Sequence, residues 1–174
     1  MSVSRSRPEP SVTGGAQVAA DIASLLRAGS AYDHVVATKD HHVDPGEHWS
    51  REPDFVDTWP VHCKVGTDGE AFHPNLDPQP FDAIFLKGEH AAAYSGFEGR
   101  TTDGESLLDW LRARGVEQVD ICGIATDHCV RATALDARTG GFETRVLTEM
   151  CAGVLPETTA AALGEMRAAG VDLT

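Results

Sequence analysis

Helix-period segments alternate with short apolar runs along this chain, and that order restricts the fold more than any other feature. Residues 14–28 set Val18, Ile22, Leu25 and Leu26 at helical spacing. Residues 34–38 (His-Val-Val-Ala-Thr) read as a short buried strand, and residues 81–86 (Phe-Asp-Ala-Ile-Phe-Leu) as a second. Residues 105–114, with Leu107, Leu108 and Leu111 and a stop at Gly115, read as a helix. Residues 119–124 predict a third strand that runs directly into a helix from about 127 to 139. Residues 144–147 predict a fourth strand, 157–169 a last helix, and 171–173 a short final strand. Such an order predicts an α/β fold with three layers, an open and mostly parallel sheet with helices on both faces. Ligands bind such sheets beyond the carboxyl ends of the strands. Attention therefore falls on residues 40–48, on Lys87 and Gly88, and on residues 125–129.

Composition sets the outer limits. The 174 residues suit one domain with a full core. No run approaches the roughly 18 apolar residues that cross a bilayer, which argues against a membrane partner. Two arginines near the start precede no apolar stretch, so a secretory signal is not expected and the cytoplasm is. Fourteen basic against 27 acidic residues give a net charge of −13, a field that repels phosphate backbones and argues against nucleic acid. The four cysteines, Cys63, Cys122, Cys129 and Cys151, include no CxxC pair and are expected to be reduced thiols.

Three places carry chemistry. In Asp40-His-His-Val-Asp-Pro-Gly-Glu-His48, Asp40 and His42 are two apart and share a side of an extended segment. A Pro-Gly turn can fold His48 back towards them, and His62 lies further along the loop. Imidazoles with one carboxylate suit a single divalent transition metal, zinc, iron or manganese, better than calcium or magnesium. The plain alternative is a solvated polar loop. Cys129 in Gly123-Ile-Ala-Thr-Asp-His-Cys-Val130 sits where a strand turns into a helix. There, backbone N–H groups and the helix dipole are expected to lower its pKa and to receive an oxyanion. The alternative is a packed structural cysteine, which Cys122 fits better. Lys87 ends the second strand, where it can stabilise a thiolate or simply be solvated. Trp59, Tyr94 and Phe97 can wall a flat ligand or form a small loop core.

Taken in order, the stretches Asp40–His48, Trp59-Pro-Val-His-Cys63, Phe85-Leu-Lys-Gly88, Ala93-Tyr-Ser-Gly-Phe-Glu-Gly99 and Gly123–Val130 resemble the bacterial nicotinamidase/pyrazinamidases. Those are isochorismatase-like cysteine hydrolases with a Rossmann-like sheet, and the resemblance runs from about Val12 to the C-terminus. It implies an amidohydrolase that converts nicotinamide, or pyrazinamide-like amides, to the acid and ammonia in NAD salvage. It implies Cys129 as nucleophile and Lys87 as the triad lysine. Asp40, His42, His48 and His62 are implied as metal ligands, the metal holding the pyridine nitrogen and waters. Trp59 and Tyr94 are implied as ring walls, with Ile124, Ala125 and His128 also at the substrate. The Ile124–Ala125 peptide matches one that is cis in the family, and the N–H groups of Ala125 and Cys129 match its oxyanion hole. A monomer and a homo-oligomer both fit.

The family's third catalytic group is an aspartate at the end of its central first strand, in an apolar Val-Asp-x-Gln-x-Asp-Phe stretch. Residues 1–12 hold no aspartate, two prolines and no apolar alternation, so they read as an atypical segment ahead of a domain at 13–174. The first central strand is thus expected to be missing, and the triad acid with it. Three origins are open: a start assigned too late (or a frameshift or truncation), a pseudoenzyme that binds metal and ring, or proton transfer by Glu9 or another acid. A related isochorismatase-like hydrolase with another substrate is the nearest rival. A thiol redox protein would need a resolving cysteine near Cys129, for which Cys122 within a strand is the nearest in sequence.

Overall fold

The computed structural model describes residues 12–29 and 32–174. Helix α1 (Gly15–Arg27) comes first, then β1 (Val36–Asp40), a long loop, β2 (Ala83–Lys87) and α2 (Leu107–Ala113). Strand β3 (Gln118–Ile124), a π-helical turn (Thr126–Val130), α3 (Arg131–Thr139), β4 (Glu143–Ala152), α4 (Pro156–Ala168) and β5 (Asp172–Leu173) complete the chain. Every paired strand is parallel, and the described strands form two sheets, β1–β2 and β3–β4–β5. No strand among the described residues joins the two sheets. The segment assigned to residues 1–12 lies almost wholly outside the described residues.

Side-chain alternation along the strands decides where the layers sit. Ile121 and Val146 face a core of Val130, Ala134, Met166 and Val171 supplied by the π turn, α3, α4 and the residue before β5. Asp120 and Arg145, one residue earlier on each strand, face the other way and pair with each other. Tyr32, shortly after α1, donates to Asp120 at 2.6 Å from that opposite side. Phe85, fully buried, anchors β2 against Leu107, Trp110 and Leu111 of α2, with Phe142 beside them. Helices thus cover both faces of an α/β sheet.

Local chemistry explains where the element limits differ from the sequence pattern. Helix α2 starts after Ser106, whose hydroxyl accepts the Asp109 N–H at 3.1 Å as an N-cap. The β1 pattern shifts two residues on, which carries Asp40 into the strand and into register with Lys87 of β2. The helix expected from about 127 begins instead as the π turn, a feature often found at functional sites. No helix among the described residues is long and apolar enough to cross a membrane.

Candidate active site

Two short ladders gather the loop histidines. The His42 N–H donates to the Cys63 carbonyl at 3.1 Å, and the His42 carbonyl accepts from the Val65 N–H at 2.9 Å. The Trp59 N–H donates to the His48 carbonyl at 2.8 Å. Between them, the Asp54 carboxylate accepts the N–H groups of Val56, Asp57 and Thr58, closing the turn that returns Trp59. These bonds, led by that from Val56, hold the Asp54 carboxyl well below the usual carboxylate range.

The result is a trio. His42, His48 and His62 have ring centroids 4.9 to 5.4 Å apart, with ligand nitrogens within 4.8 Å of one another. Each ring donates through Nδ1 to a backbone carbonyl: His42 to Gly88 at 2.5 Å, His62 to Pro60 at 2.8 Å, His48 to Asp57 at 3.3 Å. That arrangement fixes the tautomer and leaves each Nε2 lone pair for a ligand. His42 Nε2 is buried with no hydrogen-bond partner, the condition of a nitrogen that expects a cation. Burial lowers the pKa of His42 and of His48, so both rings are neutral near pH 7, as metal ligation requires. The donor set fits a divalent transition metal. Gly88 makes the trio possible: with φ +79°, an added Cβ there would meet His42 Cε1 at 2.6 Å.

Asp40 meets Lys87 because they are register partners on β1 and β2. The Lys87 side chain is 2% exposed; Nζ donates to the Asp40 carboxylate and to the Ala93 carbonyl at 2.8 Å, and lies 3.5 Å from Cys129 Sγ. Burial works against the Lys87 ammonium, but charge on Cys129 and Asp40 outweighs it and its pKa rises. For Cys129 the sequence expectation is overturned. Burial raises its thiol pKa, and Asp40 adds to the rise; Lys87 and the Ala125 N–H offset this only in part. Cys129 is the fourth residue of the π turn, not its first, so desolvation outweighs the dipole. Among the described residues no carboxylate besides Asp40 bonds to Lys87 or to Cys129.

Aromatic groups close the remaining side. Trp59 Nε1 donates to the Tyr94 hydroxyl at 3.2 Å, and His128 lies 5.0 Å from Trp59 and 5.4 Å from Tyr94 between ring centroids. Tyr94 also stands 5.9 Å from His48, so the cup joins the histidine trio. Peptide Ile124–Ala125 is cis.

The whole of this architecture has known counterparts. The isochorismatase domain model matches residues 3–174. The chain belongs to the isochorismatase family. Within that family it is 56% identical over 162 residues to the nicotinamidase/pyrazinamidase of Mycobacterium tuberculosis, covering 93% of this chain and 87% of that protein. Among solved structures, a Pyrococcus horikoshii pyrazinamidase in complex with zinc has a TM-score of 0.76 at 34% identity, over 96% of this chain and 88% of that one. A protein from L. infantum in complex with nicotinate has a TM-score of 0.80 at 31% identity, over 94% of this chain and 81% of that one.

Two residues of this isochorismatase-family site were not legible in its sequence. Trp49 sets its ring edge-on to His42, centroids 5.9 Å apart. Asp127, two residues before Cys129, is buried and accepts from the Val154 N–H (3.0 Å), the Leu155 N–H (3.3 Å) and the Thr158 hydroxyl. It caps α4, whose own N-cap Leu155 offers no side-chain acceptor. A cap supplied from a distant turn leaves no local signature. Asp127→Ala is expected to cost about 1–3 kcal/mol in urea unfolding, since it orphans these donors. Burial works to raise the Asp127 pKa, but the bonds from Thr158, Val154 and Leu155 win and hold it low. Its contribution is therefore complete above the unfolded carboxyl value near pH 4 and is lost as pH falls towards the folded one. Asp127→Asn should flatten that acid limb of a stability–pH profile.

Proposed function

We propose that this site hydrolyses nicotinamide to nicotinate and ammonia through a thioester on Cys129, as a cytoplasmic step of NAD salvage. The observation that carries the reading is the aromatic cup, with His48 and His62 on one side and the Cys129–Lys87 pair on the other. A flat heteroaromatic amide placed there has its ring against Trp59, Tyr94 and His128 and its carboxamide towards Sγ. The likeness to nicotinamidases and to the nicotinate complex supports the same substrate.

The chemistry follows from the residues. Cys129 Sγ attacks the carboxamide carbon, and the oxyanion is received by the Ala125 and Cys129 N–H groups. The carbon–nitrogen bond breaks, ammonia leaves carrying the thiol's proton, and water cleaves the thioester. Lys87 holds positive charge beside the sulfur throughout. When bound, a divalent transition metal on His42, His48, His62 and Asp40 supplies an anchor for a pyridine nitrogen. The proton transfers need a carboxyl group near Sγ; among the described residues, Asp40 is bonded to Lys87 beside it.

Recognition of the ring nitrogen gives the test. Zinc-loaded protein carrying Cys129→Ala should bind nicotinamide at least about tenfold more tightly than benzamide, which has the same ring size and carboxamide but no ring nitrogen; even loss of a ligand's supporting partner changes metal-site binding by that much. His42→Ala should remove the difference. Equal affinity for the two amides by calorimetric titration would refute the reading.

A further inference from the structure

Cys63 follows the third histidine directly, and nothing in the proposed reaction uses it. We propose that Cys63, Asp40 and His62 form a second, thiolate-bearing seat for a soft divalent cation, which draws His62 and Asp40 away from the metal set that also holds His42 and His48. One ligand atom from each of the three lies within 4.8 Å of the others, a separate grouping from His42, His48 and His62. His62 Nδ1 is committed to the Pro60 carbonyl, so only Nε2 remains, and one nitrogen cannot serve two ions. Asp40 meets Lys87 through Oδ1, which leaves Oδ2 for a cation. The main chain at Cys63 is held beside the site, because its carbonyl accepts the His42 N–H and its φ is +45°, a left-handed conformation that cysteine seldom adopts.

Sulfur decides which ions choose this seat. Thiolate favours cadmium, zinc and copper(I) over manganese, magnesium and calcium, whereas imidazoles accept a broad transition-metal range. Binding forms a sulfur–metal bond, breaks the S–H bond and releases that proton to solvent. It also engages Asp40, the partner of Lys87. A soft cation in excess is therefore a competitor for the metal that the trio holds.

The inference rests on the same loop as the proposed function but is tested without turnover. Protein carrying Cys129→Ser, which removes the thiol beside Lys87, is titrated with ¹¹³Cd²⁺ and followed by cadmium NMR. The expected resonance is displaced downfield, as one sulfur ligand requires, and it persists when His48→Ala weakens the trio. Adding Cys63→Ser returns the shift to the nitrogen–oxygen range and weakens Cd²⁺ binding by at least about tenfold, the loss that even a ligand's supporting partner causes. Mn²⁺ affinity stays unchanged. Cys63→Ala gives the same answer if the serine variant fails to fold. A nitrogen–oxygen shift with Cys63 intact, or a sulfur shift that survives its removal, overturns the proposal while leaving the amide reading untouched.

Discussion

Grafting the aspartate-bearing first strand that the family resemblance implies ahead of Val12 is expected to raise ammonia release from nicotinamide about 10²- to 10⁴-fold over the 174 residues, the usual contribution of a positioned acid–base group. The reason lies at Cys129. Burial raises its thiol pKa, and its neighbour Lys87 can stabilise charge but cannot accept a proton while it is an ammonium. Asp40 is already bonded to Lys87 and belongs to a cation-binding group. A fresh carboxylate beside Sγ supplies an acceptor that the described residues do not offer. The same graft with its aspartate changed to alanine separates chemistry from folding. It should raise the melting temperature, yet restore no rate. A graft that stabilises the protein without accelerating it, aspartate present, would show that the proton leaves by another route.

Lys87→Ala should produce the largest loss of stability at any single position of the site. The ammonium is almost fully buried, whereas the Asp40 side chain keeps 22% of its surface exposed. Removing one member of a buried pair costs about 3–5 kcal/mol, and partial hydration of Asp40 places this case near the lower end, about 3 kcal/mol. For a chain of this size that corresponds to a fall of about 6–12 °C in melting temperature. The Ala93 carbonyl, which accepts from Nζ at 2.8 Å, loses its donor as well. Lys87→Arg retains the charge but not the compact head that meets Asp40, Ala93 and Cys129 together. It should therefore recover much of the melting temperature and none of the hydrolysis. Calorimetric scans of the two variants beside the parent check the ordering.

Much of this was legible in the sequence because each piece has a local cause. Alternating periods indicated parallel strands and covering helices, and the carboxyl ends of those strands do carry Asp40, Lys87 and the Cys129 turn. The histidines declared themselves by spacing around a Pro-Gly turn. What stayed hidden depends on contacts between distant segments. Asp40 meets Cys63 as well as Lys87, which no spacing rule could reveal, since Cys63 lies 23 positions beyond Asp40 in the chain. Asp127 caps a helix that begins at Pro156, and its role follows from the fold alone. The direction of the Cys129 shift was misjudged for a related reason. Backbone dipoles can be inferred from a strand–turn–helix pattern, but burial of one sulfur depends on everything packed around it.

Ammonia release from nicotinamide by the purified, metal-loaded 174-residue chain, measured beside its Cys129→Ala variant, tests the central claim most directly. The account predicts slow release, well under the roughly one turnover per second at the low end of ordinary enzymes, that disappears with Cys129. Release that survives Cys129→Ala, or turnover at ordinary enzymatic rates without an added strand, would contradict it.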